Sequence, residues 1–374
     1  MLSFGVVCSV LMAYNNCMAD FDISGDWVIL ASLSCRTAAE ELAMYIGLLR
    51  EKANLKSKQI KILEANAAAP ADHVIILNNF NGNADKRGFN WRVRETRIEI
   101  FGDSARGLWN GIFDFLGVLG IKWPNPDNEE LPSCSTGTVY TLKTEHASCP
   151  SVSQVADQAA PEGLVAGHAV RERRRFFIRE KVKEKDLGKL IKWAAHNKYD
   201  ALVFSLGRKS FWDTIGIGNN SANIEKYNII IEAGGSDLSL LLPRHLFLFH
   251  KDLFRMESGK RTSNSYFCPT NPKTGAHVAD QAAKLFSRAA PGMTEPNVFH
   301  LLPDKEYEKR WCSCPACRAF APFEQYMIAC NTAADALADI NSKAILMYSC
   351  FSDSQNQESG GIVPRKNMLP VAIS

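Results

Sequence analysis

The stretch Val298-Phe299-His300-Leu301-Leu302 is apolar apart from one histidine, and an acidic step, Pro303-Asp304-Lys305-Glu306, follows it directly. A short apolar run that ends at a proline is typical of a buried strand. The cysteine-rich segment Trp311-Cys312-Ser313-Cys314-Pro315-Ala316-Cys317-Arg318 comes next. Because the reactive groups of α/β proteins lie on the loops that follow the strands, this order of strand, acids, aromatic residue and cysteines indicates a functional site.

Strands and helices alternate on both sides of that stretch. The sequence predicts strands at 175–178, 201–206, 227–231, 298–302 and 344–348, with helices at 185–196, 275–289 and 322–338. Such alternation requires parallel strands covered by helices. These are five strands, or six with 370–373, whereas a closed (β/α) barrel has eight. We therefore expect residues 168–374 to form a (β/α) barrel-type α/β domain that is incomplete at its C-terminus.

The preceding part of the chain, residues 1–131, is predicted to be a small α/β domain. A buried strand at 27–31 leads into a helix at 37–52, and a second helix, opened by Gly102-Asp103-Ser104, ends at Gly120. Four short strands are predicted between these helices. Residues 132–167 lack a sustained period and are rich in Ser, Thr, Pro and Ala, which predicts a linker with at most one short strand.

Composition excludes several classes of protein. With 46% hydrophobic and 22% charged residues among 374, the chain is typical of a globular protein of about two domains. The net charge is +3 and the basic run 171–175 is interpreted as a solvated turn, so no nucleic-acid partner is expected. No membrane partner is expected either, because no stretch of eighteen or more uninterrupted apolar residues occurs after the apolar first eighteen residues. No Lys or Arg precedes Arg36, so a signal peptide is not indicated and a cytoplasmic location is predicted. The oligomeric state is not readable from the sequence.

Three of the eleven cysteines, Cys312, Cys314 and Cys317, form a C-x-C-x-x-C pattern. A structural zinc ion would fit such thiols, but it takes four ligands and no second C-x-x-C is present, so Cys268 or His300 would have to complete the site. Reduced, packed thiols are the leading alternative, since a cytosolic compartment disfavours a disulfide. No other cofactor is predicted.

Polar and aromatic residues crowd the long loop that follows the predicted strand 227–231. Arginine, histidine and asparagine side chains there are suited to donating to the hydroxyl and carboxylate groups of a sugar, and nearby phenylalanines offer apolar faces. His300 and Trp311, which flank the acidic step, are added to this set. The predicted substrate-binding residues are therefore Arg244, His245, His250, Arg261, Asn271, His300 and Trp311. A loop packed by its own aromatic residues, with structural histidines and a capping asparagine, explains the same pattern.

Asp304 and Glu306 are the predicted catalytic residues. Cleavage of a glycosidic bond needs one carboxyl group that stays protonated near neutral pH and a second charged group that stabilises a cationic transition state. Acid pairs at this spacing are also common on solvated loops, so a surface role stays open.

Three blocks of the sequence carry a resemblance to a known family. HKDLFRMESGKR at 250–261, FCPTNP at 267–272 and WCSCPACRAF at 311–320, in this order, resemble the bacterial family called domain of unknown function 4838. That family is similar to glycoside hydrolase family 163, whose activity is that of an endo-β-N-acetylglucosaminidase. GDSARGLWNGIFDFLGVLGIKW at 102–123 resembles the small α/β domain that precedes the barrels of hexosaminidases and α-glucuronidases.

The resemblance implies a glycoside hydrolase-like barrel that acts on a β-linked amino sugar or related glycan, with Asp304 at the position that corresponds best to the family's acidic segment. Lys251-Asp252-Leu253 departs from the Pro-Glu-Tyr that is more frequent in the family. The alternative is a carbohydrate-binding protein, or an inactive, truncated remnant of such an enzyme.

Overall fold

The computed structural model describes residues 18–55, 59–67, 73–79, 87–94, 96–135, 137–143, 145–148, 173–178, 182–207, 220–235, 237–264, 266–289, 297–303, 311–350 and 361–372. These residues group into two compact units. The first lies within Met1–Asp157, Lys189–Asp200 and Glu225–Ile229, and the second within Gln158–Gly188, Ala201–Ile224 and Ile230–Ser374.

A mixed six-stranded sheet and two long helices organise the first unit. Its strands are β1 (Met18–Asp22), β2 (Trp27–Ala31), β3 (Lys61–Glu64), β4 (His73–Asn79), β5 (Phe89–Arg94), β6 (Arg97–Gly102), β7 (Lys122–Asn125), β8 (Asn128–Glu130), β9 (Val139–Lys143) and β10 (Glu145–Ser148), and its helices are α1 (Arg36–Lys52) and α2 (Ala105–Val118). The sheet order is β10-β5-β6-β4-β2-β3. β2 runs parallel to β3 and β4, and β4 runs parallel to β6, whereas β5 is antiparallel to both of its neighbours.

Helix α2 starts where the sequence predicts it, because Ser104 caps it by accepting a hydrogen bond from the Gly107 N–H at 3.1 Å. Gly102, the last residue of β6, is buried against the first turn of this helix. A β-carbon at Gly102 would overlap the backbone nitrogen of Leu108. The close approach of strand and helix therefore requires glycine at this position.

Two segments that the sequence assigns to the barrel-type domain group with the first unit instead. Buried Arg106 explains this, because its guanidinium donates to the carbonyl oxygens of Tyr199 (2.5 Å) and Tyr227 (3.1 Å). Strands β9 and β10 likewise lie inside the interval 132–167, for which the sequence predicts a linker. The partners that fix these pieces are distant in sequence, so local composition does not reveal them.

Glu41 is a second buried anchor of the first unit. Its carboxylate contacts the His196 ring at 2.9 Å and the Lys226 ammonium at 2.7 Å, and it accepts from the Tyr227 hydroxyl at 2.9 Å. Burial by itself raises the pKa of the Glu41 carboxyl, but the hydrogen bonds from His196 and Lys226 lower it to about 2. Glu41 is therefore ionised at neutral pH.

A parallel sheet organises the second unit. Its strands are β11 (Arg175–Ile178), β12 (Ala201–Phe204), β13 (Ile230–Gly235), β14 (Met256–Glu257), β15 (Lys260–Arg261), β16 (Val298–Leu301), β17 (Ile345–Cys350) and β18 (Met368–Ala372). The remaining helices are α3 (Glu184–His196), α4 (Ser221–Tyr227), α5 (Pro272–Ala289) and α6 (Pro322–Ile340), and the residues of α3 and α4 are divided between the two units. Strands β14 and β15 form a separate hairpin.

The six other strands are all parallel and stand in sequence order, β11-β12-β13-β16-β17-β18. A doubly wound sheet would reverse its strand order at a switch point, so unbroken order is the arrangement of a (β/α) barrel. The predicted fold class, a small α/β domain followed by a barrel-like domain, is confirmed. Both bounds of the strand predicted at 227–231 are wrong: the strand spans Ile230–Gly235 and so includes Glu232, and Tyr227 ends helix α4.

Apolar residues that alternate along the strands form a buried cluster on one face of the parallel sheet. The buried cluster consists of Val298, Leu302, Ile345, Met347, Leu369 and Val371, with Phe177 packed against it. Alternation with a period of two places these side chains on one face of the sheet. Among the described residues, no helix combines the length and the apolar character that crossing a membrane requires.

We predict that Gly102→Ala destabilises the first unit by about 1–3 kcal/mol, because the added methyl group overlaps helix backbone that has no flexible side chain to move. Gly47→Ala is the matched control. Gly47 lies within α1 with open space around its α-carbon, so the same substitution should stabilise the protein by about 0.5–1 kcal/mol through helix propensity. Thermal unfolding measures both shifts, and equal shifts for the two variants would contradict the close approach at Gly102.

We also predict acid sensitivity from Glu41. Its pKa falls from 4.5 to about 2 on folding, so its contribution of about 3 kcal/mol is present above pH 4.5 and is lost as the pH falls toward 2. Glu41→Gln should melt at a lower temperature at pH 7 and lose much of the pH dependence in that window. Glu40→Gln, which removes the exposed neighbour paired with Arg36, should behave like the native chain. Melting temperatures measured between pH 2 and 7 test this.

Candidate functional site

Charged side chains on or next to the strands of the parallel sheet form a buried cluster. The Glu232 carboxylate on β13 pairs with Arg173 at 2.9 Å and with Arg175, on β11, at 2.7 Å. His300 on β16 contacts the same carboxylate through Nε2 at 2.6 Å. All four side chains are 3% exposed or less. The interpretation of the basic run as a solvated turn is therefore wrong for Arg173 and Arg175, because a carboxylate on a distant strand draws them into the interior.

The charges in this cluster determine which proton each group carries. Burial by itself raises the pKa of the Glu232 carboxyl, but Arg175, the hydrogen bond from His300 and Arg173 together lower it well below its usual range. Burial lowers the pKa of His300 more than the hydrogen bond and the charge of Glu232 raise it, and the two arginines lower it further. At neutral pH Glu232 is thus ionised and His300 is neutral, with its Nε2–H donating to the carboxylate. Glu232 cannot supply a proton as a general acid.

The carboxyl end of β16, just before the acidic step, is tightly held. The hydroxyl of Tyr326, on α6, donates to the carbonyl oxygen of Leu301 at 2.6 Å and accepts from the Ser349 N–H at 2.9 Å. The N–H of Leu302 donates to the carbonyl oxygen of Gly235 at 2.8 Å. Three neighbouring strands are thereby joined at the end where the loops of a barrel carry chemistry.

Four cysteine thiols meet beside the loops that follow β13 and β16. Cys268, Cys312, Cys314 and Cys317 are all buried, and their sulfur atoms lie within 4.8 Å of one another. The sequence left two candidates to complete the cysteine trio, and the structure brings Cys268 to it, whereas His300 lies against Glu232. Hydrogen bonds with Cys312 and Cys317 lower the pKa of the Cys268 thiol, and the same hydrogen bonds raise the pKa of the two partner thiols.

Arg244 and Trp311, both predicted to bind substrate, are tied to the loop after β13. The Arg244 guanidinium donates to four carbonyl oxygens, those of Leu242, Ser239, Ser263 and Tyr266, and it also lies over the ring of Phe254. Trp311 stacks on Tyr266 with ring centroids 4.5 Å apart. These contacts fold the loop back on itself. Arg244 therefore has the structural role in the loop that the sequence left open as the alternative to substrate binding.

The other predicted substrate-binding residues are dispersed. His245 and His250 are exposed on the same loop. Arg261 donates to the carbonyl oxygen of Phe254 at 2.5 Å and lies 3.8 Å from the Cys312 sulfur. Asn271 caps helix α5, since its side-chain oxygen accepts from the Lys273 N–H at 3.0 Å. The structure therefore groups Arg261 with the cysteines and His300 with Glu232, rather than gathering the seven residues in one place.

Asp304 and Glu306 lie outside the described residues. Sequence reasoning missed the partnership of Glu232 with Arg173 and Arg175, because the predicted strand ends at residue 231 and leaves Glu232 in the loop. A strand drawn over Ile230–Gly235 would have placed this glutamate in a buried segment, where a carboxylate requires a buried cation.

No family model matches the sequence, and no curated protein matches it in sequence. The resemblance to domain of unknown function 4838 therefore stays a prediction. Three solved structures of glycoside hydrolase family 20 match the fold. The exo-β-N-acetylglucosaminidase of Vibrio harveyi, in complex with N-acetylglucosamine, is 14% identical over 96% of this chain and 56% of that chain, with a TM-score of 0.53. The chitobiase of Flavobacterium johnsoniae is 14% identical over 90% of this chain and 51% of that chain, with a TM-score of 0.51.

The third structure, the β-N-acetylhexosaminidase of Streptomyces coelicolor, is 12% identical over 96% of this chain and 67% of that chain, with a TM-score of 0.51. At such low identity the likeness establishes the fold alone, which is hexosaminidase-like. The chain spans about half the length of the Vibrio and Flavobacterium proteins that it matches.

We predict that Glu232→Gln destabilises the second unit by about 3–5 kcal/mol, because it leaves two buried guanidinium charges without a counter-charge. Asp335→Asn is the matched control. Asp335 is paired with Arg365 at 2.8 Å, but both side chains are more than half exposed, so the loss should stay below about 1 kcal/mol. Urea unfolding of the two variants measures the difference. Equal losses would show that the Glu232 cluster is not isolated from water.

Proposed function

We propose that this protein is a glycoside hydrolase that acts on a β-linked amino sugar or a related glycan. The observation that carries the proposal is the position of the acidic step in the chain. Asp304 follows Leu301, the last residue of the fourth parallel strand, by three residues, and the strand belongs to a sheet in barrel order. Loops at such positions carry the catalytic groups of barrel enzymes. The shared fold with enzymes that are named for cleaving N-acetylglucosamine supports the substrate class.

In the proposed reaction, one carboxyl group of the pair Asp304 and Glu306 protonates the glycosidic oxygen as its bond to the anomeric carbon breaks. The other carboxylate stabilises the positive charge that develops on the sugar. With an N-acetylated sugar, the acetamido oxygen of the substrate can attack the anomeric carbon, and the second carboxylate then orients that group. In the final step water adds to the anomeric carbon, the bond from that carbon to the acetamido oxygen breaks where it has formed, and the water gives one proton to the first carboxylate.

The attachment of the segment at both ends supports this assignment, since a catalytic group must be held in place by its surroundings. Tyr326 bonds to Leu301 on the near side of the acidic step. On the far side, the side chain of Gln325 accepts from the Cys312 N–H at 3.1 Å and donates to the Cys312 carbonyl oxygen at 3.2 Å. Two consecutive residues of α6 thus hold the chain before and after Asp304 and Glu306.

Glu232 is not the acid in this proposal. Two arginines keep this buried carboxylate ionised, so it cannot protonate a leaving group. We assign the acid to the loop after β16. Of the predicted substrate contacts, Trp311 fits the proposal best, because it is partly exposed, lies five residues after Glu306, and aromatic rings suit sugar rings.

Hydrolysis of a substrate panel tests the proposal. The panel contains aryl β-N-acetylglucosaminide, aryl glucuronides and a complex N-glycan, because an endo-acting enzyme can ignore aryl substrates. We expect the native chain to cleave a β-linked amino sugar, and Asp304→Asn and Glu306→Gln to reduce kcat by about 100-fold or more with the fold intact. Asp339→Asn, an exposed acid in the last turn of α6, is the matched control and should leave the rate unchanged.

A folded native chain that cleaves nothing in the panel would overturn the hydrolase proposal. If that inactive chain retained the N-glycan on a column, the carbohydrate-binding alternative would take its place. Full activity in both carboxylate variants would refute the assignment of Asp304 and Glu306 as acid and stabiliser.

A further inference from the structure

The four-cysteine cluster has the geometry of a metal site. Cys268 lies 3.6 Å from both Cys314 and Cys317, sulfur to sulfur. Zinc–thiolate bonds of about 2.3 Å in a tetrahedron place the sulfur atoms about 3.8 Å apart, whereas the sulfur atoms of a disulfide are about 2.05 Å apart. The observed spacing is that of ligands around a common centre. All four sulfurs converge on one point, which apolar packing of cysteines does not require.

Hydrogen-bond donors and a guanidinium group surround the sulfurs. The Met256 N–H donates to the Cys312 sulfur at 3.3 Å, and the Arg261 guanidinium lies 3.8 Å from the same atom. The Thr270 hydroxyl is 3.1 Å from the Cys317 sulfur. Four thiolates around a divalent ion leave a net charge of −2, which one arginine and these dipoles offset in part. Such outer contacts are typical of the second layer of a metal site.

The backbone around the trio is built to hold the sulfurs in place. The buried side-chain amide of Gln325 bonds to the backbone of Cys312 and also donates to the carbonyl oxygens of Cys317 (3.2 Å) and Phe320 (3.3 Å). The Arg318 N–H donates to the Cys314 carbonyl oxygen at 3.0 Å, which closes the turn. On the other side, the Asn271 N–H donates to the carbonyl oxygen of Cys268, in the turn before α5. Both halves of the cluster are therefore preformed by local hydrogen bonds.

We propose that Cys268, Cys312, Cys314 and Cys317 bind one zinc ion in a closed structural site that joins the loop after β13 to the segment after β16. Soft thiolates in a tetrahedral set select zinc or iron among the common metals. A site with four protein ligands has no open position, so the ion stabilises the fold and takes no part in catalysis. This inference is independent of the proposed hydrolase activity, since metal content is measured without substrate.

Metal analysis of the full chain, purified under reducing conditions without chelator, tests the proposal. We expect one zinc per chain by plasma mass spectrometry, and a melting temperature that falls when a chelator removes the ion. Cys268→Ser should lose most of the zinc. Cys330→Ser is the matched control, because Cys330 is equally buried, lies on α6 outside the cluster and should leave the zinc content at one per chain.

Cobalt(II) substitution of the native chain keeps the test decisive if Cys268→Ser does not fold. A tetrahedral tetrathiolate site gives intense visible absorption, and added zinc should abolish it in a one-to-one titration. A folded native chain that takes up no zinc would overturn the proposal, and so would iron in its place or a mass loss that reveals a disulfide among these cysteines.

Discussion

The Glu232 carboxylate is the group on which the parallel sheet depends. It neutralises Arg173 and Arg175 and accepts from His300, so a side chain on β13 is tied to β16 and to the start of β11. Buried ion pairs of this kind contribute little net stability, because desolvation offsets the attraction. What these ion pairs restrict is the register of the strands in the sheet. A slip of one residue would turn Glu232 to the opposite face of the sheet and leave two buried guanidinium groups unpaired.

This constraint explains which parts of the fold the sequence could predict. Periodicity located the element at 298–302 and the order of strands and helices, because each depends on neighbouring residues. The Glu232 cluster depends on partners 57 and 59 residues away, and the basic run beside β11 looks solvated until that partner is known. Cys268 is likewise far from the cysteine trio in sequence, 46 residues from Cys314 and 49 residues from Cys317. A pattern search recognised three ligands and left the fourth open, since Cys268 and His300 are equally available in sequence and only one of them lies beside the sulfurs.

Polar residues in the loop after β13 show a related difficulty in predicting the candidate site. Arg244 has the side chain and the loop position expected of a residue that binds an anionic or hydroxylated ligand. Its guanidinium nevertheless donates to four carbonyl oxygens of its own loop. A long loop leaves many backbone carbonyls without partners, and an arginine with five donors is an economical way to satisfy them. Residue type and loop position therefore cannot separate ligand recognition from loop folding, whereas hydrogen-bond partners can.

Helix α6 connects the strand ends to the cysteine cluster. Gln325 and Tyr326 are adjacent, so their side chains leave the helix about 100° apart, and the structure uses this divergence. Tyr326 holds the end of β16 while Gln325 holds the backbone of Cys312 and Cys317. An ion bound by the four thiols would fix the same backbone from its other side and would also anchor the loop that carries Cys268. The segment between Pro303 and Trp311, which contains both proposed catalytic carboxylates in sequence, would then begin and end at positions set by one helix. Zinc in this site would therefore position the loop on which the proposed chemistry depends without contacting a substrate.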